Sequence, residues 1–289
     1  MFLIPTLQAQ HLAKKIKKSG LSPIFPAVNK EGARHFPDGE LYVKIPQASK
    51  LSGKHVVVLH SGAPSPNEGL IELELILQTL KEVKASPTDV FFAYFPYGMQ
   101  DEVFARGETN VAENLIEKLY KYYGVRNIYI IDAHFAGKKW AERYPINHLS
   151  VVPQLIAAAK RDFGDDLLFL SPDKGGARRT KIQGVNKKRK NSYEIEIQSS
   201  ASLRQNIRNR PIAVVDDLIE TGGTLDRFAD ECKKAGAKKV VALATHGVLP
   251  QGIARVKKKY KKLYLTNTIN RPQANVDISS LIVKSLGTK

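Results

Sequence analysis

The stretch Ile212–Leu225, IAVVDDLIETGGTL, decides how this chain is read. An apolar run ends in two adjacent aspartates, Asp216 and Asp217. Glu220 and the Thr221-Gly222-Gly223-Thr224 turn follow, and then a segment with helical spacing. A short β-branched run bounded by turn signals has the pattern of a buried strand. In an open parallel sheet, ligands bind beyond the carboxyl ends of the strands, and the two acids fall at such an end. Gly222 and Gly223 permit backbone conformations closed to other residues. Free N–H groups there, and at the start of the helix, attract an anion, and Thr221 and Thr224 add hydroxyl donors. Acceptors at the strand end and donors in the loop together suit a sugar phosphate. Adjacent carboxylates also repel, which a ligand hydroxyl pair or a nearby Mg²⁺ would relieve. A lone acid pair is more simply an idle exposed turn, but the joint spacing of acids, glycines and threonines after an apolar strand is far more specific.

Outward from this stretch, short apolar runs alternate with longer amphipathic ones. Residues 55–60, 89–97, 127–132, 167–173, 212–217, 239–247 and 262–268 read as strands. Residues 69–83, 110–123, 152–163 and 224–236 carry apolar side chains at helical spacing. Such alternation predicts an α/β fold with parallel sheets covered by helices. The strand–loop–helix pattern occurs in both halves, HVVVLHSGAPSPNEGLIELELILQTL early and IAVVDDLIETGGTLDRFADECKKAG late, without detectable identity between them. Two α/β domains are expected, residues 1–146 and 147–289, the last residues packing back on the first domain.

The chain has 289 residues, 43% hydrophobic and 25% charged, as in a globular protein. Lys and Arg number 45 and Asp and Glu 28, a formal charge of +17. That excess suits a phosphate-rich partner, either nucleic acid or a small phosphorylated metabolite. No helix-turn-helix, RNP or zinc motif supports a nucleic-acid binder. Cys232 is the one cysteine and reads as a packing residue; its isolation excludes an internal disulfide and fits a reducing cytoplasm. The N-terminal segment has its basic residues after a short apolar stretch, the wrong order for a signal peptide. No apolar run approaches a membrane span.

VVDDLIETGGTL resembles the ribose-phosphate-binding loop of the type I phosphoribosyltransferases and of the ribose-phosphate pyrophosphokinases, and the loop alone does not separate the two. Other segments resemble the pyrophosphokinase family, in the expected order from about Phe36 to Asn270. HFPDGELYVKI (35–45) is similar to the segment that reaches toward adenine across a subunit interface, implying roles for Phe36, Asp38 and Glu40 in ATP binding. YFPYGMQDEVFARGETNVAENLIEKLY (94–120) is similar to the ATP-contacting segment and implicates Gln100 and Asp101. Met99 stands where that family usually has an arginine, and Arg106 is the nearest later cation. YIIDAHFAG (129–137) and LSPDKGGARR (170–179) resemble the metal-associated segments, placing His134 and Asp173 near Mg²⁺. VNKKRKNSYEIEI (185–197) matches a flexible catalytic loop, with Lys187 and Arg189 on its cationic positions. A shift of one residue would put Lys188 in place of Lys187. No P-loop motif is present, so ATP would be held by other means.

The resemblance implies two phosphoribosyltransferase-like domains, each a mostly parallel sheet flanked by helices. The implied reaction is diphosphoryl transfer from ATP to ribose 5-phosphate, with Mg²⁺. Asp216, Asp217, Glu220, Thr221, Gly222, Gly223 and Thr224 would hold the sugar phosphate. It further implies a cytoplasmic homo-oligomer, of the dimer or hexamer-of-dimers type, with no nucleic-acid or membrane partner. Two other expectations stay open: a phosphoribosyltransferase, and a non-catalytic regulatory subunit of the same fold, the latter supported only by Met99.

Overall fold

The computed structural model describes residues 1–16, 21, 23–172, 174–180, 182, 187–189, 195–197, 205 and 207–287. The chain divides into two compact units. The first comprises Met1–Leu149 with Thr268–Asn270 and Ser279–Lys289; the second comprises Ser150–Asn267 with Arg271–Ile278.

The first unit is built on a five-stranded parallel sheet in the order β1-β2-β3-β4-β5. The strands are Phe2–Pro5, Val56–Ser61, Thr88–Tyr94, Ile128–Ile131 and Ile146–Leu149. Every residue of β2 is buried, as expected where helices cover both faces of a parallel sheet. The helix α2, Pro66–Glu82, begins with proline in its first turn, where a missing N–H costs nothing. It buries Leu73, Ile76, Leu77 and Leu80, the i, i+3, i+4, i+7 stripe that its sequence carries. The helix α3, Val111–Glu117, is capped reciprocally: Asn110 accepts from the Glu113 N–H and donates to the Glu113 carboxylate. It runs on as a wider π-helical turn over Lys118–Tyr122. Between β1 and β2 lies the short helix α1, Gln10–Ile16.

The second unit has a four-stranded parallel sheet in the order β11-β10-β9-β6. The strands are β6 (Leu168–Leu170), β9 (Pro211–Ile219), β10 (Lys239–Gly247) and β11 (Leu263–Leu265). Its helices are α4 (Val152–Phe163), α5 (Lys174–Thr180), α6 (Gly223–Lys234) and α7 (Pro250–Lys259). A separate antiparallel pair joins β7 (Lys187–Arg189) to β8 (Ile195–Ile197). The final helix α8, Ser279–Ser285, belongs to the first unit. Cys232 is buried on α6, and burial pushes its thiol up to about 12, so it packs and does not react.

The α/β class and the parallel sheets hold. The expected strand at 167–173 shortens to three residues, while 212–217 lengthens to nine. Two edge strands went unpredicted. Phe2–Pro5 ends in proline, which an edge position tolerates, and Ile146–Leu149 is exposed at its two central residues and so lacks an apolar run.

At the amino end of β3, away from the ligand-binding ends, Asp89 is 1% exposed. It lies 2.7 Å from His55 Nε2 and 3.1 Å from Arg126 Nη2, and accepts from the Asn127 backbone and side chain at 3.1 and 3.2 Å. Asp89→Ala removes an acceptor shared by four donors. It should lower the unfolding free energy by about 3 kcal/mol, measured by chemical denaturation, and leave sugar-phosphate binding by the second unit unchanged.

Candidate active site

In the second unit the strand β9 carries both aspartates inside its ladder, since Asp216 pairs in register with Ala244 and the strand continues to Ile219. Successive residues of a strand face opposite sides of the sheet, so adjacency in sequence separates the two carboxylates. Asp217, 1% exposed, meets Arg179 of α5. Nη2 donates to Oδ1 at 3.0 Å, and Nε lies 2.9 Å from Oδ2. Asp216 accepts from the Asp217 N–H at 3.1 Å. The repulsion that was expected to need a ligand or Mg²⁺ is thus met, for Asp217, by an arginine of the chain itself.

Beyond Ile219 the chain turns sharply. Gly222 takes φ +74°, the left-handed conformation that favours glycine, and caps α6. The first intrahelical bond runs from the Asp226 N–H to the Gly222 carbonyl at 2.9 Å. The three N–H groups before it have no acceptor within the helix. What fixes this turn is Gly252, in the first turn of α7. A Cβ at 252 would stand 1.9 Å from the Glu220 carbonyl oxygen, and one at 222 would stand 2.7 Å from the Gly252 carbonyl oxygen. Backbone crosses backbone, and no side chain fits at either position. Arg271 reinforces the neighbouring β10–α7 corner, donating to the carbonyls of Gly247, at 3.0 Å, and Val248. Glu220 and Thr221 are exposed, with Gly223 and Thr224 partly so.

In the first unit the start of α2 ties several segments together. Arg34 pairs with the buried Glu72, whose second oxygen accepts from the Leu7 N–H at 2.9 Å. Burial pushes the Glu72 carboxyl up from the ordinary carboxylate range, against the pull of Arg34. His35 Nε2 lies 3.0 Å from Glu68, and Tyr97 donates to Asn67. Asn67, Glu68 and Glu72 therefore hold both the 34–42 turn and the 95–101 turn. In the first of these, Phe36, Asp38 and Glu40 are exposed, Phe36 packing edge-on against Tyr42 with centroids 5.7 Å apart. Asp38 accepts from the Glu40 N–H at 3.1 Å.

In the second turn Gln100 and Met99 are exposed. Asp101 is buried, 3.5 Å from Lys138 Nζ, and its carbonyl accepts from Trp140 Nε1 at 3.1 Å. His134 is half-buried, its Cβ 3.8 Å from where a Cβ on Gly98 would stand. Gln100, Asp101 and His134 thus belong to neighbouring loops. Lys187 and Arg189 lie on β7, with Lys188 between them. Asp173 lies outside the described residues. Among the described residues no three His, Cys, Asp or Glu are grouped to hold a metal.

Three comparisons bear on this geometry. Residues 1–124 match the family description "N-terminal domain of ribose phosphate pyrophosphokinase", and residues 162–280 match "phosphoribosyl transferase domain". A ribose-phosphate pyrophosphokinase of Pyrococcus abyssi is 32% identical over 289 residues, covering 97% of this chain and 96% of the relative. The chain belongs to the ribose-phosphate pyrophosphokinase family. A second relative, ribose-phosphate pyrophosphokinase 1 of Listeria monocytogenes, is 29% identical over 85% of this chain and 79% of its own length. The crystal structure of phosphoribosylpyrophosphate synthetase from Mycobacterium smegmatis shares the fold, with a TM-score of 0.84 at 21% identity over 99% of this chain and 97% of that one.

Several residues of this pyrophosphokinase site escaped sequence reading. Arg179 is one of two adjacent arginines in LSPDKGGARR, and which of the two faces the sheet depends on the phase of α5. Gly252 carried no signal beyond its own presence in a helical first turn. Asn67, Glu68 and Glu72 look like ordinary solvated residues at a helix start.

Gly252→Ala should displace the loop and weaken ribose 5-phosphate binding by about a hundredfold or more, as expected when a backbone contact closer than any real Cβ approach must give way. Calorimetric titration measures this, with circular dichroism showing the fold retained. Arg179→Gln leaves the Asp217 carboxylate buried without its cation, which should cost about 3 kcal/mol of stability. Arg179→Lys should recover only part of that in a thermal or denaturant titration, because lysine lacks the planar fork.

Proposed function

We propose that this chain transfers the β,γ-diphosphoryl group of ATP to the anomeric hydroxyl of ribose 5-phosphate. The products are phosphoribosyl pyrophosphate and AMP. The observation that carries the reading is the Gly222–Gly252 crossing, which holds a glycine turn at a helix start, with N–H groups that have no helical acceptor, at the end of a strand bearing Asp216 and Asp217. In a pyrophosphokinase such a turn suits the 5-phosphate, and the acids suit the ribose hydroxyls.

The anomeric oxygen attacks the β-phosphorus. A bond forms from that oxygen to phosphorus, the bridging bond from Pβ to the α-phosphate oxygen breaks, and AMP leaves; the hydroxyl proton is released to solvent. Asp216 orients the ribose, and Asp217, held by Arg179, fixes the strand end beside it. Glu220, Thr221, Gly222, Gly223 and Thr224 surround the phosphate. Lys187 and Arg189 offset charge on the transferring group, where electrostatic stabilisation supplies most of the catalysis. Phe36, Asp38, Glu40, Gln100 and Asp101 serve the nucleotide, Asp101 through its buried pairing and Gln100 by direct contact.

Mg²⁺ enters as part of the substrate, Mg-ATP. A hard cation takes oxygen ligands and keeps much of its water. One imidazole, His134, fits a cation already dressed by phosphate oxygens and is no cage by itself; Asp173 is its proposed carboxylate partner. A homo-oligomer through the first unit fits the surface, because the large exposed hydrophobics among the described residues, Ile71, Leu75 and Phe104 included, all fall within Met1–Leu149. No helix of the described residues is long and apolar enough to cross a membrane, and we place the enzyme in the cytoplasm with its nucleotide.

Incubation with Mg-ATP and ribose 5-phosphate should yield AMP in step with phosphoribosyl pyrophosphate. Consumption of phosphoribosyl pyrophosphate with a free base would instead make the chain a phosphoribosyltransferase, and silence with activation of a partner enzyme would make it a regulatory subunit. Lys187→Ala should lower kcat by about a hundredfold or more while ribose 5-phosphate binding changes little, as for a group acting on transition-state charge. Equal activity in the variant would remove Lys187 from the mechanism.

A further inference from the structure

Two arginines that no motif of the family singled out converge on the glycine turn. A Cβ built on Gly223 would lie 3.6 Å from Arg255 Nη1, 3.7 Å from Arg227 Nη1 and 3.7 Å from Thr221 Oγ1. Three donors from three segments therefore surround one point beside the loop.

Their placement follows from helix geometry. Gly223 and Arg227 are four residues apart on α6, and Gly252 and Arg255 are three apart on α7, so each arginine shares a face with a glycine at or beside the crossing. The glycine lets the backbones touch, and the arginine one turn on reaches round the contact. The acids of α6 itself are engaged elsewhere. Glu231, the i+4 neighbour of Arg227, pairs with Lys234 at 2.9 Å. Asp230 pairs with Lys259 at 2.7 Å, and Asp226 lies 3.9 Å from the same amine. Both arginines are exposed, and among the described residues neither forms an ion pair. Two like charges held beside one point, with the acids of α6 taken, call for an anion between them.

We propose that Arg227 and Arg255 clamp the 5-phosphate of the sugar and select the phosphorylated pentose by its charge, adding to the loop N–H groups two charge-assisted donors that neutral ribose cannot use. The inference rests on the reading of the loop given under the proposed function.

The test is calorimetric titration of ribose 5-phosphate, without nucleotide, into wild type, Arg227→Gln, Arg255→Gln and the double variant. Lys257→Gln and Lys258→Gln, exposed cations on α7, serve as controls for general charge. Each arginine variant should raise Kd about tenfold, and the double variant should show the larger loss and a shallower salt dependence. KM for ribose 5-phosphate should rise in parallel, with kcat falling less than KM rises. A double variant that binds within threefold of wild type overturns the clamp alone, as do lysine controls that weaken binding equally. Wild type that binds no ribose 5-phosphate overturns the reading of the loop, and the clamp with it. Because both side chains are exposed, unchanged thermal midpoints are expected in every variant, so loss of binding reports on the site.

Discussion

The contact between the Gly252 backbone and the Glu220 carbonyl governs the second unit. An α-helix can approach a turn this closely only where neither carries a side chain, and the 1.9 Å left for a Cβ at 252 excludes every other residue. The approach stops β9 after Ile219, forces Gly222 into the left-handed region and sets the axis of α6 at the turn. The N–H groups of that first turn then lie in a fixed row with no helical acceptor. A binding loop made this way needs no metal or disulfide to hold its shape. Its rigidity comes from packing of main chain on main chain, with Arg271 fastening the adjoining corner.

Charge is arranged with the same economy of parts. Two aspartates in a row cost Coulomb energy only if they face the same space. The pleat of β9 sends them to opposite sides, and Arg179 neutralises the more deeply buried one. Asp217 is therefore a fixed, already balanced acceptor. In the first unit α2 does a comparable job with opposite signs. Its first turns present Asn67, Glu68 and Glu72 to a tyrosine, a histidine and an arginine on two separate turns, so a single helix sets the spacing of both.

Much of this was legible in the sequence. Apolar runs of β-branched residues located β2, β3, β9 and β10, because strands buried on both faces must be continuously apolar. The stripe of α2 and the glycine turn were equally plain. Edge strands were not, since a strand with one solvated side has no such run, as INHL at 146–149 shows. The partners of the site residues were hidden for a different reason. That Arg179 meets Asp217, or that Gly252 meets Glu220, depends on packing between segments more than thirty residues apart, which periodicity along one segment cannot encode. Asp101 illustrates the limit: the motif placed it in the nucleotide segment, but only the fold reveals it buried against Lys138 and not open to solvent.

The turn around Met99 has a chemical character that follows from these pairings. Lys138, the cation beside it, is held by Asp101 and by Glu102 at 2.7 Å. Beside the exposed Arg106 and Gln100, the turn presents a row of large apolar groups, with Met99 45%, Val103 58% and Phe104 65% exposed. Such a surface loses free energy in water at roughly 25 cal/mol per Å², and it gains by contact with a flat ring or another apolar face.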